Sequence, residues 1–265
     1  GTKSIFSVEH FELDGFEMLG QDIVNHCVND ILVQGAAPLF FTDYFASSVL
    51  NANELYYFIK GVSFACRQNN CSLIGGETAE MPNIYEKGMH DLVGSIVGVV
   101  DKHELIDGKK NVKAGDIMVA LPSSGPHTNG FSLIRKLYKE HPNEFSRDMI
   151  HDLCKPHRSY LNEFNNIDNN EIVIHGMAHI TGGGLGENIR RVIPDNMDVE
   201  FFPFSYSPIF QKIQNIGNIT DTQMKLVFNC GVGMVFIVPG EYVEKIRELY
   251  SEAFVIGQIN LISDV

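Results

Sequence analysis

No stretch of 18 consecutive apolar residues occurs in this sequence, so nothing in it reads as a transmembrane helix, and no charged–apolar–small pattern marks a signal peptide at its start. Basic residues are in short supply: 20 Lys and Arg stand against 33 Asp and Glu, a formal charge of −13. That balance argues against a nucleic-acid or anionic-membrane surface, both of which want a clustered basic face. It leaves phosphorylated small molecules open, because a few backbone amides and a metal ion bind those locally. The five cysteines (Cys27, Cys66, Cys71, Cys154 and Cys230) are scattered, with no CxxC pair. They suggest neither a disulfide framework nor a zinc site, and a reducing, cytoplasmic setting is the simplest reading. The ten histidines show no HExxH or other ligand spacing, and no repeat of fixed period is visible.

What is present is the composition of an ordinary globular protein, 44% apolar and 20% charged over 265 residues. At roughly 150 residues per domain this gives about two domains. Apolar residues at three- and four-residue spacing predict helices over residues 22–32 and 53–68, the first stopped by Gly35 and Pro38. Short apolar runs predict strands at 39–45, 72–74 and 92–100. The polar, turn-rich residues 101–115 form the best boundary, dividing the chain into domains 1–100 and 101–265. Beyond it, strands are predicted at 116–121, 172–180, 233–238 and 254–259. Helices are predicted near 131–138, 187–192, 221–228 and 241–253, with 141–170 as loop carrying helical pieces. The mixture suggests α+β or α/β.

Three glycine-bearing segments sit where a strand gives way to a loop or helix. Gly125-Pro126-His127-Thr128-Asn129-Gly130 is one and Thr181-Gly182-Gly183-Gly184 another. Glycines that admit a close ligand, with backbone amides at a helix start, suit an anion, although a lone Gly-rich turn is more often only a turn. The third, Gly75-Gly76-Glu77-Thr78-Ala79-Glu80, carries two carboxylates three apart. They fit either a hard cation such as Mg²⁺ or a helix's first turn. The helix with Asp22, Asn25, Asn29 and Asp30 adds oxygen donors, and a solvated polar face would look the same. Cys230 has no base partner in the sequence and reads as a small buried residue.

Taken together, residues 27–47 (CVNDILVQGAAPLFFTDYFAS), 73–85 (LIGGETAEMPNIY), 123–137 (SSGPHTNGFSLIRKL), 179–194 (HITGGGLGENIRRVIP) and 228–234 (FNCGVGM) closely resemble the phosphoribosylformylglycinamidine cyclo-ligase family. These are the aminoimidazole ribonucleotide synthetases of purine biosynthesis. The blocks occur in family order across nearly the whole chain. The resemblance implies a two-domain α+β fold, with the N-terminal half contributing to a dimeric β-barrel and a C-terminal α/β domain. It implies a homodimer that uses ATP and Mg²⁺ to close formylglycinamidine ribonucleotide into aminoimidazole ribonucleotide. An iminophosphate forms first, and phosphate leaves as the ring closes.

Carried over by position, the resemblance places Asp30 and Glu77 near the metal and triphosphate, with Gly75 and Gly76 beside Glu77. Lys3, which ends the family's DGVGTK motif, is expected near phosphate. Gly182, Gly183 and Gly184 become a phosphate-binding turn, and His127 and Asn129 contact substrate or polarise the reacting amide. The sequence departs from the pattern at Gly1, where the match to DGVGTK begins, so the motif's Asp is lacking and a processed or trimmed chain is expected. It departs again at Asn25-His26, usually small or apolar, at His157, usually Thr, and at Arg190, usually Pro. The alternatives are a related ATP-dependent synthetase or kinase, or a non-catalytic dimerising module.

Overall fold

Helix α1, Thr2–Leu32, is the longest element, broken once at Glu12, where φ is +50°. It extends the predicted 22–32 helix by five turns. Gly15 and Gly20 weaken that helix signal in the sequence, since glycine costs about 1 kcal/mol against alanine inside a helix. Their use is spatial. A Cβ on Gly20 would lie 2.2 Å from the Phe58 carbonyl of α2 (Ala52–Gln68), and one on Gly61 would lie 2.0 Å from the Glu17 carbonyl. Backbone meets backbone where α1 crosses α2.

The structure is a computed structural model that describes residues 1–262, and these fall into two compact units. The first comprises Gly1–Leu32, Ala36–Val99 and Phe131–Ser159. Its sheet has the order β2-β1-β3. β1 is Ala37–Ser47, β2 is Ser72–Glu80 and runs parallel to it, and β3 is His90–Val99 and runs antiparallel. Alternation along β1 buries Phe41, Asp43 and Phe45. That face is the one α1 covers, because a Cβ on Gly94, the partner of Asp43, would meet Ile23. Phe6, Phe16 and Phe58 complete the core, each burial contributing roughly 1.5–3 kcal/mol. The opposite face of the sheet leaves Val93, Val97 and Val99 exposed. Helices α3 (Phe131–Glu140) and α4 (Arg147–Cys154) belong to the same unit.

The second unit takes Val33–Gly35, Val100–Gly130 and the chain from Tyr160 onward. Its strands are β4 (Ile117–Pro122), β5 (Gly176–His179), β6 (Met197–Phe201), β7 (Val232–Val238) and β8 (Phe254–Leu261), in the order β5-β7-β4-β8-β6. All seven residues of β7 are buried. The helices are α5 (Leu161–Asn169), α6 (Gly184–Arg190), α7 (Pro208–Gly217), α8 (Asp221–Val227) and α9 (Val243–Leu249). Helices alternate with strands as an α/β reading expects, yet every pairing in this sheet is antiparallel. The whole is α+β.

Candidate active site

Three of the segments singled out in the sequence converge in the second unit. The loop after β4 carries His127 and Asn129, and it is clamped by Asn229 from the loop before β7. Asn229 is 2% exposed. Its Nδ2 donates to the Gly125 carbonyl (3.0 Å), and its Oδ1 accepts from the Gly231 amide (2.9 Å) and lies 3.2 Å from the Ser123 hydroxyl. The Ser123 amide donates to the Gly231 carbonyl at 2.9 Å. His127 sits at φ +58°, buried, and its Nε2 accepts from the Ser124 amide at 3.2 Å. That contact places the proton of the neutral ring on Nδ1. Tyr160 lies beneath, its hydroxyl donating to the Pro122 carbonyl at 2.8 Å. A Cβ on Gly233 would strike that hydroxyl. FNCG is therefore the partner that shapes SGPHTNG, a relation their distance in sequence conceals.

The TGGG turn is folded by Asn188 of α6, whose Nδ2 donates to the carbonyls of Gly184 (2.7 Å), Gly182 (3.2 Å) and Thr181 (3.3 Å). Gly183 and Gly184 take φ of +91° and +67°. Asn129 Oδ1 lies 3.4 Å from the position a Cβ would occupy on Gly182, so the structure brings Asn129 to this turn. α6 has only seven residues. Any anion held here rests on the turn's own amides and not on a long helix dipole.

The first unit holds the acidic candidates. Residues 72–80 form one strand, not a strand ending at Gly75-Gly76, and in a strand residues three apart point to opposite faces. Glu80 is turned to accept the Leu50 amide (2.8 Å). Glu77 pairs in register with Tyr44, on the face away from α1, and Gly76 pairs with Asp43. A Cβ on Gly76 would lie 2.4 Å from Asp43 Oδ1, and burial holds Asp43 above the ordinary carboxylate value. Asp30, in the last turns of α1, is half exposed, with its carboxylate 3.2 Å from His26 Nε2. Asp30 and Glu77 thus stand on different faces of their unit, each offering carboxylate oxygens of the hard-donor kind that Mg²⁺ takes.

Lys3 is 3% exposed and paired with Asp22 at 2.8 Å, and it also donates to the Lys155 carbonyl at 2.9 Å. Burial raises the Asp22 carboxyl while Lys3 opposes the rise. The rest of the polar stripe on α1 has a single use. Asp22 accepts the His157 amide (2.7 Å), Asn25 donates to the His157 carbonyl (2.7 Å) and Asn29 to the Arg158 carbonyl (2.8 Å). Asn69 bonds both Asn25 (2.8 Å) and Ser159 (2.5 Å). The stripe is neither a solvated face nor a set of cation donors. It holds the backbone of residues 155–159.

The N-terminal domain model of the AIR synthase related proteins matches residues 1–100, and their C-terminal domain model matches residues 113–260. The chain belongs to the AIR synthase related family. A phosphoribosylformylglycinamidine cyclo-ligase of Lawsonia intracellularis (strain PHE/MN1-00) is 41% identical over 272 residues, covering 98% of this chain and 76% of the relative. The AIR synthase fold also recurs in hydrogenase maturation protein HypE in complex with ATP, with a TM-score of 0.70, 17% identity, and 92% and 72% of the two chains covered. Thiamine-monophosphate kinase from Stenotrophomonas maltophilia K279a superposes with a TM-score of 0.71 at 14% identity over 94% and 78%. AaThiL complexed with AMPPCP and TMP does so with 0.66 at 15% over 94% and 76%. At these identities the structural likeness speaks for the fold alone.

Proposed function

We propose that this AIR synthase-family chain closes formylglycinamidine ribonucleotide into aminoimidazole ribonucleotide at the expense of ATP, as a cytoplasmic homodimer. The observation that carries the proposal is the convergence of the His127–Asn129 loop with the TGGG turn, in a chain 41% identical to a cyclo-ligase along 98% of its length. ATP use is supported by the nucleotide complexes of HypE and AaThiL on the same fold. The exposed valines of the first sheet offer an apolar face for a second copy of residues 1–100. No helix among the described residues is long and apolar enough to cross a membrane.

The chemical difficulty is that an amide oxygen is a poor leaving group. The formyl oxygen attacks the γ-phosphorus and ADP departs, giving an iminophosphate. The amidine nitrogen then attacks the formyl carbon, the C–O bond breaks, phosphate leaves with the electron pair, and the nitrogen loses a proton. Positioning and charge neutralisation do most of this. His127, whose Ser124 contact fixes the Nδ1–H tautomer, polarises the reacting amide in a buried setting where a donor counts for more than in water. Asn129, half-buried beside Gly182, orients the substrate, and the Gly182 and Gly183 amides take a phosphate group, the Gly184 amide being engaged by the Thr181 carbonyl. Residues 1–100 serve nucleotide and dimer. The Lys3 ammonium is engaged by Asp22 and the Lys155 carbonyl and not by phosphate, and of the two glycines only Gly75 has open space beside it for a phosphate to approach. Standing on different faces, Asp30 and Glu77 do not share one ion; either would offer Mg²⁺ a single carboxylate beside substrate phosphates, whose charge the ion would neutralise when bound.

The test is ADP release. Formylglycinamidine ribonucleotide should elicit it and thiamine phosphate should not. His127→Ala should lower turnover by about 10²-fold or more with the circular dichroism spectrum unchanged. Unchanged turnover would remove His127 from the mechanism, and ADP release with thiamine phosphate alone would favour the kinase reading.

A further inference from the structure

Among the asparagines of the sequence, Asn129 alone is followed by glycine. An asparagine carboxamide is open to attack by the main-chain nitrogen of the next residue, and glycine, with no Cβ, shields that nitrogen least. A fold blocks this reaction when the nitrogen donates to a backbone partner or when hydrogen bonds hold the carboxamide. Neither block operates in the loop after β4. Gly130 lies outside every helix and strand, and its amide donates to no partner among the described residues. The Asn129 carboxamide has no hydrogen bond among them either, and both residues are half-buried, within reach of water. Asn188 and Asn229 differ on each count. Their Nδ2 groups donate to carbonyls, and they precede Ile189 and Cys230. The glycine at 130 is itself required by the fold. Its φ is +79°, and a Cβ there would lie 2.2 Å from the ring of the fully buried Phe228.

We propose that Asn129 is a modification site of the folded protein, deamidated spontaneously to a mixture of isoaspartate and aspartate. The Gly130 nitrogen loses its proton and attacks Asn129 Cγ. The Cγ–Nδ2 bond breaks, ammonia leaves, and a succinimide ring closes. Water then adds to one of the ring's two carbonyl carbons and the C–N bond there opens. Opening at Cγ gives aspartate, and opening at the main-chain carbonyl gives isoaspartate. Water is the only co-reactant, and nothing is oxidised or reduced. Either product sets a carboxylate beside Gly182, where Asn129 Oδ1 now lies 3.4 Å from the position of a Cβ. Isoaspartate also adds a methylene to the main chain of the His127–Asn129 loop. An anion at a turn that takes a phosphate group opposes that phosphate by like-charge repulsion. The modification is read from bonding and packing, and only its effect on turnover rests on the role given to Asn129 above.

The experiment follows the full-length chain over time at neutral pH, with circular dichroism to show that it stays folded. Trypsin releases residues 114–135 as one peptide, bounded by Lys113 and Arg135, and its mass reports the exchange of amide for acid. An isoaspartyl methyltransferase with a labelled methyl donor reports isoaspartate. The same peptide, synthesised and incubated in parallel, sets the rate without a fold. The folded chain should convert at Asn129 within an order of magnitude of that rate, while Asn188 and Asn229 stay intact. Asn129→Gln, whose longer side chain disfavours ring closure, should take no methyl label in this peptide. An Asn129 still intact in the folded chain when the free peptide has converted would overturn the proposal. So would equal labelling of the Asn129→Gln peptide. Turnover measured in the same samples should fall in step with the fraction converted. Conversion with undiminished ADP release would establish the modification and remove Asn129 from the substrate site, so the two readings fail separately.

Discussion

Replacing Asn229 by alanine tests whether the two loops of the second unit are held as one piece. The side chain is 2% exposed and satisfies the Gly125 carbonyl and the Gly231 amide at 3.0 and 2.9 Å. Its removal leaves both backbone groups unpaired, at about 1–3 kcal/mol each, so a loss of roughly 2–6 kcal/mol follows. The Ser123 hydroxyl is half-buried and can rotate to water, and adds little. Against a total stability of about 5–15 kcal/mol, such a loss lowers the melting temperature by roughly 5–20 °C. Urea titration and thermal melts read the stability, and ADP release below the variant's melting range reads the consequence for His127. Asn229→Asp keeps the acceptor for Gly231 but turns a carboxylate oxygen toward the Gly125 carbonyl. It should be no more stable than the alanine variant at neutral pH and should recover as the carboxyl protonates in acid. A cost under about 0.5 kcal/mol for Asn229→Ala would refute the clamp, since only water replacing both bonds could keep the cost so low.

Two further outcomes follow from buried polar groups. Asp22→Asn strands the 3%-exposed Lys3 ammonium and should cost about 3–5 kcal/mol in urea titration. Lys3→Met with Asp22→Leu removes the stranded charge but also the partners of the His157 amide and the Lys155 carbonyl, so it should still cost about 1–3 kcal/mol for each backbone group left unpaired. Burial holds the thiols of Cys27, Cys66 and Cys230 up at about 12. At pH 8 only about one in ten thousand is thiolate, so labelling by a disulfide reagent should be slow in the folded protein. It should rise about tenfold per pH unit below pH 12 while the fold holds, and become rapid in urea.

The sequence was most legible where a pattern repeats over several turns or a strand. The helix over 53–68 and the strand over 233–238 are found close to where their apolar spacing puts them. It was least legible where residues answer to a partner far along the chain. Asp22, Asn25 and Asn29 repeat at helical spacing, yet nothing local says that they read the backbone of 155–159, more than a hundred residues on. Gly20 and Gly61 look like helix breakers until each is seen against a carbonyl of the other helix. The pair Glu77 and Glu80 turned on one undecided question, helix or strand, because a spacing of three is one face in the first and two faces in the second. Glycines at 75 and 76 suggested an end to the strand, but Gly76 is there because the Asp43 carboxylate occupies the space a Cβ would need. The five motif blocks made the family legible, and the clamp joining two of them was not.

The TGGG turn shows how the structure can separate a glycine required for folding from one available to a ligand. Gly184 takes φ of +67° and a Cβ there would lie 1.8 Å from the Lys225 carbonyl, so packing demands glycine whatever the turn binds. Gly183, at φ +91°, faces the flexible end of Glu187 and is constrained chiefly by its backbone. Gly182 is different. Its φ lies outside the left-handed region, and a Cβ would meet only Asn129 Oδ1, at an ordinary 3.4 Å. Nothing in the packing requires glycine at 182, and alanine there also narrows the unfolded ensemble, which favours folding by about 0.4–1 kcal/mol. Gly182→Ala should therefore melt at or slightly above the parent temperature, while Gly184→Ala melts well below it. If the turn takes a phosphate group, the added methyl beside Asn129 should raise KM for the phosphorylated substrate in a protein of undiminished stability. A stable Gly182→Ala variant with unchanged KM would show that the glycines serve the turn and that the phosphate is held elsewhere.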